Sequence, residues 1–377
     1  MNIAVNAQLL IWGKLDGIGW FTYETMQRII KNNPGHRFYL IFDRKPHPSL
    51  KLGDNARFIV LRPSSRHPFL WFLRFEILLP FLLKKIKADV FLSPDGWMTL
   101  GTSIPCVHIL HDLNFAHKPG DLPFWTRLYY NTLFPRYARK ATRVGTVSQY
   151  SKEDIVKTYH VPPEKIDVMH NGCNVRYKPL TEEVIQSTRK KFSAGYPFFL
   201  YVGALIPRKN IARMFRAFDL FKKNDTKNVK LLIVGQKKWW TPEIDEAYAN
   251  MKYQNEVVFL GRRDVDELNM LYAASLSLLF VPVFEGFGIP VLEAFHSGTA
   301  VITSRTTSLP EVAGDAALFV DPYSEKEIAD AMKKIASDDE SVRNMLIEKG
   351  EKRKLLFSWD KTAAHLWKTI EKATHPE

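Results

Sequence analysis

Glu285 and Glu293 bracket a loop with two glycines, Gly286 and Gly288, followed by Ile289-Pro290. Glycines so placed let the backbone approach a ligand or take a positive φ. Pro290 suits the first turn of a helix, and the N–H groups and dipole of that turn favour an anion. Carboxylates for hydroxyls beside a helix N-terminus for phosphates would suit a nucleotide-sugar; a plain loop with a solvated glutamate at each end has the same spacing. Upstream, Arg208-Lys209 follow Gly203. Two adjacent cations there suit a diphosphate, the Arg as a planar fork and the Lys as a point charge; a charged surface loop is the plainer alternative. His111-Asp112 ends the apolar run that starts at Pro105. A zinc set of Cys106, His108, His111 and Asp112 fails because strand alternation turns Cys106 and His108 away from His111. His111 is instead a functional candidate, since ligands of open α/β sheets bind outside the carboxyl ends of strands. Gly17-Ile18-Gly19, ahead of a helix from about Trp20 to Lys31, could present N–H groups to a phosphate or an acceptor, or form a simple turn.

The elements that must position these residues alternate along the chain. Strands are expected at 3–7, 38–42, 56–61, 90–93, 105–112, 143–148 and 165–169, and again at 197–203, 230–234, 257–260, 276–281, 300–303 and 317–320, with helices between them. That alternation means parallel sheets covered by helices on both faces. It divides the chain into a Rossmann-like domain over 1–172, a polar linker over 173–196, a second Rossmann-like domain over 197–357 and a final helix in 358–377. Two such domains imply a ligand cleft between them. Residues 68–87 stand out: only Arg74 and Glu76 interrupt an apolar run that ends in Lys84, Lys85 and Lys87. A helix apolar nearly all round is normally buried; the sharper reading is a membrane-docking helix whose basic end meets anionic headgroups.

Of 377 residues, 46% are hydrophobic and 25% charged, an ordinary globular composition. The two cysteines make no disulfide framework and fit a cytoplasmic setting. The first strand starts at the initiator, so no signal peptide is expected, and no apolar run is long enough to span a membrane. The net charge of +13 is uneven: residues 1–170 carry 23 Lys and Arg against 13 Asp and Glu. No nucleic-acid motif accompanies it, so acidic substrates or an anionic membrane are the preferred partners.

Taken together, the chain resembles the retaining glycosyltransferase family 4, of GT-B fold. The resemblance rests on Glu285 to Glu293, on Tyr201-Val202-Gly203 through Arg208-Lys209-Asn210, on Ser308-Leu309-Pro310-Glu311-Val312, Thr146-Val147-Ser148 and His170-Asn171-Gly172, and on Gly17-Ile18-Gly19. It implies two Rossmann-like doubly wound domains facing a central cleft, with the C-terminal helix crossing back to the N-terminal domain. Arg208 and Lys209 would hold the donor diphosphate beside Gly203. Glu293 would bond the ribose, and Glu285 the transferred sugar, with the Phe287, Gly288 and Ile289 amides nearby. Gly17 and Gly19 would approach the diphosphate, and His111 matches the family's active-site histidine. Many members carry Arg after the glycine matching Gly203; here it is Ala204, so the clamp depends on Arg208 with Lys209. No metal or cofactor is implied beyond the donor itself. Relatives with Arg-Lys-Asn are often mannosyltransferases, which makes GDP-mannose the expected donor. The acceptor is expected to be a glycan or lipid-linked glycan of surface polysaccharide synthesis, bound by loops such as 61–75 and 113–126, with the enzyme in the cytoplasm or peripheral at the inner face of the plasma membrane. A GT-B isomerase or epimerase, or a non-catalytic nucleotide-sugar binder, are the alternatives.

Overall fold

In both halves the short Val, Ile, Leu and Phe runs form parallel strands, most of them buried on both faces as helix-covered sheets require, with the edge strand Ala56–Val60 largely exposed. The computed structural model describes residues 1–64, 67–118, 120, 122–237 and 240–375. Residues 65, 66, 119 and 121, within the two loops expected to meet an acceptor, lie outside that set. The N-terminal sheet comprises β1 (Asn2–Asn6), β2 (Arg37–Phe42), β3 (Ala56–Val60), β4 (Val90–Ser93), β5 (Cys106–Ile109), β6 (Arg143–Thr146) and β7 (Ile166–Val168). Its strand order is β3-β2-β1-β4-β5-β6-β7. The C-terminal sheet comprises β8 (Phe198–Val202), β9 (Lys230–Val234), β10 (Val257–Gly261), β11 (Ser277–Phe280), β12 (Val301–Ser304) and β13 (Leu318–Val320), in the order β10-β9-β8-β11-β12-β13. Both orders reverse direction beside their first strand. That switch point opens a crevice at the carboxyl ends of the strands.

The chain forms two units, one of residues 1–172 with 358–377 and the other of residues 173–357. The final helix, Trp359–Thr374, is part of the N-terminal unit. Its buried residues Trp359, Ala363, Leu366, Ile370 and Ala373 recur at helical spacing. Arg28 pairs with Asp360 at 2.8 Å, and Thr369 and Lys372 both bond Asp167 of β7.

Two expectations need correction. Residues 182–193 are not linker but a helix of the C-terminal unit. Glu182 and Glu183 occupy its first turn and Lys190 and Lys191 its last, complementing the helix dipole. Arg189 donates to the Ala274 carbonyl at 2.9 Å, tying it to the neighbouring helix. The apolar stretch after Pro68 is not one buried helix either. It runs as α-helix over Pro68–Phe72, π-helix over Leu73–Leu78 and α-helix over Leu79–Lys85, and several of its large apolar side chains are exposed.

Candidate active site

Lys209 ends a single 3₁₀ turn, Pro207–Lys209, beyond the carboxyl end of β8. Asn210 closes it in the left-handed conformation, φ 66°, one that Asn tolerates better than most residues. Its side-chain amide donates to the carbonyls of Val281 at 2.9 Å and Pro322 at 2.6 Å. The turn is thus stitched to the loop after β11. The Val283 N–H donates to the Arg208 carbonyl at 2.9 Å, and the Arg208 guanidinium to the Phe284 carbonyl at 3.2 Å.

These bonds bring Arg208, Lys209 and Glu285 together. The Lys209 ammonium donates to Glu285 Oε2, and an Arg208 nitrogen lies 3.5 Å from the same oxygen. The ammonium also stands 4.7 Å from the Phe280 ring centroid, a cation–π contact. Burial alone would raise the Glu285 pKa. The charges of Lys209 and Arg208, with the Lys209 hydrogen bond, outweigh it and hold the carboxyl below its ordinary range. Glu285 is therefore a carboxylate at neutral pH.

The loop then turns into the Ile289–His296 helix through Gly288, at φ 107°. A Cβ there would approach Leu309 Cδ2 to 2.7 Å. Among the described residues, no side chain caps this helix start, which keeps its first turn suited to an anion. The Ser308 hydroxyl lies 2.9 Å from the Glu285 carbonyl and 3.0 Å from that of Phe287. It fixes the backbone on both sides of Gly286. The Phe287 side chain is buried edge-on against Phe357, 5.8 Å between centroids, so the residue's backbone is its polar resource. Gly203 closes β8 against its neighbour: a Cβ on Gly235, at the end of β9, would lie 1.9 Å from the Gly203 carbonyl oxygen.

Glu293 has a different environment from Glu285. Its Oε2 accepts from the Tyr272 hydroxyl at 2.7 Å. Burial raises its pKa, with the hydrogen bonds of Tyr272 and Tyr177 opposing. The two glutamates of the motif are thus driven apart in acidity: burial raises Glu293 against its phenol partners, whereas at Glu285 two cations outweigh burial. The sequence reading missed the two tyrosines. Tyr177 lies in the stretch read as linker, and neither stands near Glu293 in sequence. The Asn210 clasp was more accessible, since an Asn before a helix is a capping signal.

In the N-terminal unit, His111 lies just past β5. Its Nε2 is 2.8 Å from the Pro94 carbonyl. A carbonyl can only accept, so Nε2 carries the proton and Nδ1 the lone pair. The ring packs edge-on to Phe21 at 4.9 Å. Burial lowers its pKa, against the Pro94 bond and the charges of Asp112 and Asp16, which keeps the imidazole neutral. His108 is buried with Nε2 at 2.8 Å from the Gly96 carbonyl. Gly17 opens the Gly17–Asn32 helix, but the Gly19 N–H donates to the capping Asp16 carboxylate at 2.9 Å. That donor is spent on the helix and is not presented to a ligand, as the loop reading had expected. Gly19 is needed for space: a Cβ would lie 3.1 Å from the Leu9 carbonyl oxygen.

The chain's single Asp-x-Asp, Asp264-Val265-Asp266, does structural work. Asp264 caps the Val265–Ala274 helix through the Glu267 N–H at 2.9 Å, and Asp266 pairs with Arg176 at 3.2 Å.

The chain is similar to known glycosyltransferases in sequence and in fold. Residues 184–353 match the family described as Glycosyl transferases group 1, and residues 15–177 match Glycosyltransferase Family 4. The chain is 30% identical over 279 residues to the O-antigen chain mannosyltransferase RfbU of Salmonella typhimurium, covering 73% of this chain and 71% of that one. It is 29% identical over 255 residues to the O-antigen chain mannosyltransferase B of Escherichia coli, 67% of each chain. Among solved structures it is similar to sucrose-phosphate synthase from Thermosynechococcus elongatus, with TM-score 0.79 at 19% identity over 99% of this chain and 98% of that one. It is also similar to WaaG, a glycosyltransferase involved in lipopolysaccharide biosynthesis, with TM-score 0.76 at 17% identity over 98% and 99%. At such identities the structural likeness shows the fold, which is GT-B. With both halves matched and a relative at 30% identity over most of its length, the chain belongs to glycosyltransferase family 4 and is a glycosyltransferase.

Proposed function

We propose that the protein transfers mannose, with retention of configuration, from GDP-mannose to a hydroxyl of a glycan or lipid-linked glycan in surface polysaccharide assembly, working in the cytoplasm. The observation that carries the reading is the Lys209–Glu285 pair with Arg208 beside it, next to an uncapped helix start. Two cations and a helix dipole suit a diphosphate leaving group, and the carboxylate between them suits the hydroxyls of the sugar that leaves it. The names of the two curated relatives, both O-antigen chain mannosyltransferases, support the choice of sugar and acceptor.

In this reading the bond from the sugar's anomeric carbon to the diphosphate breaks, and its electron pair leaves with the phosphate. Positive charge spreads over the sugar ring while negative charge grows on the leaving group. Arg208, Lys209 and the first turn after Gly288 stabilise the second, and Glu285 lies beside the first. The acceptor oxygen attacks on the same face, and its proton passes to the departing phosphate. Arg208 and Lys209 do the charge neutralisation that a divalent ion would otherwise do, so transfer is metal-independent. Glu293 accepts from a ribose hydroxyl alongside Tyr272. Gly203, Phe287, Gly288 and Ile289 line the donor through their backbone, and His111 Nδ1 accepts from a sugar hydroxyl.

A calorimetric panel of GDP-, UDP-, dTDP- and ADP-sugars, each with and without chelator, tests the reading. GDP-mannose is expected to bind best, with unchanged affinity in chelator. Tighter binding of another base, or loss of binding in chelator, would refute the donor or the metal-free mechanism respectively.

A further inference from the structure

Two tyrosines from separate segments of the C-terminal unit grip Glu293. Tyr272, on the Val265–Ala274 helix, is fully buried and donates to Glu293 Oε2 at 2.7 Å. Tyr177, in the stretch before the Glu182–Ser193 helix, is also buried and hydrogen-bonds the same carboxyl group. The two rings meet edge-on, 5.8 Å between centroids, so each holds the other in place.

A set of polar bonds fixes this pair. Asn269 lies one turn before Tyr272 on the same helix face. Its Oδ1 accepts from the Lys178 N–H at 3.0 Å, next to Tyr177 in the chain, and lies 2.9 Å from the Ser297 hydroxyl, one turn beyond Glu293. That hydroxyl is also 2.8 Å from the Glu293 carbonyl. The Thr299 and Ser275 hydroxyls donate to the Tyr272 carbonyl at 2.7 Å and 2.8 Å. Three stretches distant in sequence are thus locked around one side chain.

Stability does not ask for this arrangement. An acid whose pKa burial raises costs free energy that an apolar side chain between the same two rings would not. Glu293 is also partly exposed where both tyrosines are buried, so a ligand can reach it. A carboxylate offers about four lone-pair sites. Two phenol donors occupy two of them and fix the group's orientation, as supporting hydrogen bonds do at built sites. The remaining sites suit two neighbouring hydroxyls, both donating.

We propose that Tyr177 and Tyr272 position Glu293 to accept from both hydroxyls of a ribose 2′,3′-diol, and that this clasp restricts the donor to ribonucleoside diphosphate sugars, excluding dTDP-sugars, which lack the 2′-hydroxyl. The inference rests on the assignment of Glu293 to the ribose. The tyrosines act through Glu293 and are positioning residues.

Calorimetry on the full chain with GDP, UDP and their 2′-deoxy and 3′-deoxy counterparts tests this. The affinity ratio is read within each base, so the result does not depend on which base the enzyme prefers. The wild type should bind each ribonucleotide about tenfold to a hundredfold more tightly than either deoxy form. Tyr177→Phe and Tyr272→Phe keep their rings and so their packing. Each should cut the ratio by about threefold or more, through weaker binding of the ribonucleotide alone, and the double variant should bring it close to one. Loss of a merely structural bond would weaken ribo- and deoxynucleotides alike. Tyr248→Phe, at a ring packed on Phe215 and Phe259 in the same unit, should keep the wild-type ratio. Melting curves establish that each variant is folded, and Tyr177→Phe carries the test if Tyr272→Phe is not. The inference is overturned if the tyrosine variants keep the wild-type ratio while Glu293→Gln collapses it; the ribose assignment then stands without the clasp. It falls together with that assignment if the wild type does not prefer ribonucleotides, if Glu293→Gln keeps the ratio, or if no nucleotide binds.

Discussion

Glu285 and Glu293 belong to one motif, yet their surroundings predict opposite behaviour. Glu285 answers Lys209 and Arg208, and its pKa is held below the ordinary value of 4.5. Its ion pair thus adds stability above that pH, and the stability is lost as pH falls through the lower folded-state value. Glu293 is raised from 4.5 by burial, so its ionisation costs stability as pH rises from 4.5 through the raised value. Glu285→Gln should therefore lose stability relative to the wild type as pH increases out of the acid range, while Glu293→Gln gains. Melting curves of both variants between about pH 3.5 and pH 7 would show differences of opposite slope. At neutral pH Glu285→Gln takes the negative charge away from the buried Lys209 ammonium, at a cost of about 3 kcal/mol, and should abolish transfer. Glu293→Gln keeps an acceptor for Tyr272 and should weaken nucleotide binding while retaining the fold. Equal pH profiles for the two would mean that the cation pair at Glu285 and the burial of Glu293 do not set the acidities.

At the scale of elements, the Phe287–Ile289 turn is the part of the Phe284–Glu293 stretch proposed to meet the donor through its backbone. Gly288→Ala would place a side chain at φ 107° and press on Leu309. The leucine's far methyl can yield, so the left-handed backbone sets the penalty, about 1–2 kcal/mol. The loop should relieve that strain by shifting, so the expected outcome is donor affinity reduced more than stability, measured by calorimetry beside a melting curve. A melting temperature lowered with donor affinity intact would show that the loop does not bind through its backbone. This loop was legible in sequence because its signals are local, two glycines, a proline and the strand before them, although the Ser308 and Arg208 bonds that fix it come from elsewhere in the chain. The same holds for the strands, whose apolar runs are short and bounded by polar turns. The stretch after Pro68 was not legible, because composition cannot say which way a helix face turns. There Glu76 and Arg74 point inward to Tyr137 and Leu61, and the apolar rings are left outside. The helix over 182–193 was hidden for a related reason. It is amphipathic mostly through charge, and its partner lies some eighty residues further along the chain.

At the scale of the whole molecule, the chain passes between its two units twice, after Gly172 and after Phe357, and within the N-terminal unit these two points touch. A Cβ on Gly172 would lie 2.2 Å from the Trp359 backbone nitrogen and 2.6 Å from the Ser358 carbonyl carbon. These are backbone atoms at the start of the final helix, where Ser358 caps through the Lys361 N–H and the Thr362 hydroxyl bonds the His170 carbonyl. They cannot step aside as a side-chain tip can. Gly172→Ala must therefore move the helix start, disturbing Trp359 against Phe21 and, through Phe21, the seat of His111. The predicted cost is about 1–3 kcal/mol, as for other overpacked sites, and it falls on the N-terminal unit alone. Thermal unfolding of the full-length variant should show the N-terminal unit melting earlier than in the wild type. On the role proposed for His111, transfer should drop through its misplacement. A variant with normal activity and an unchanged melting curve would mean that the helix start adapts without strain and that its contact with Gly172 does not position His111.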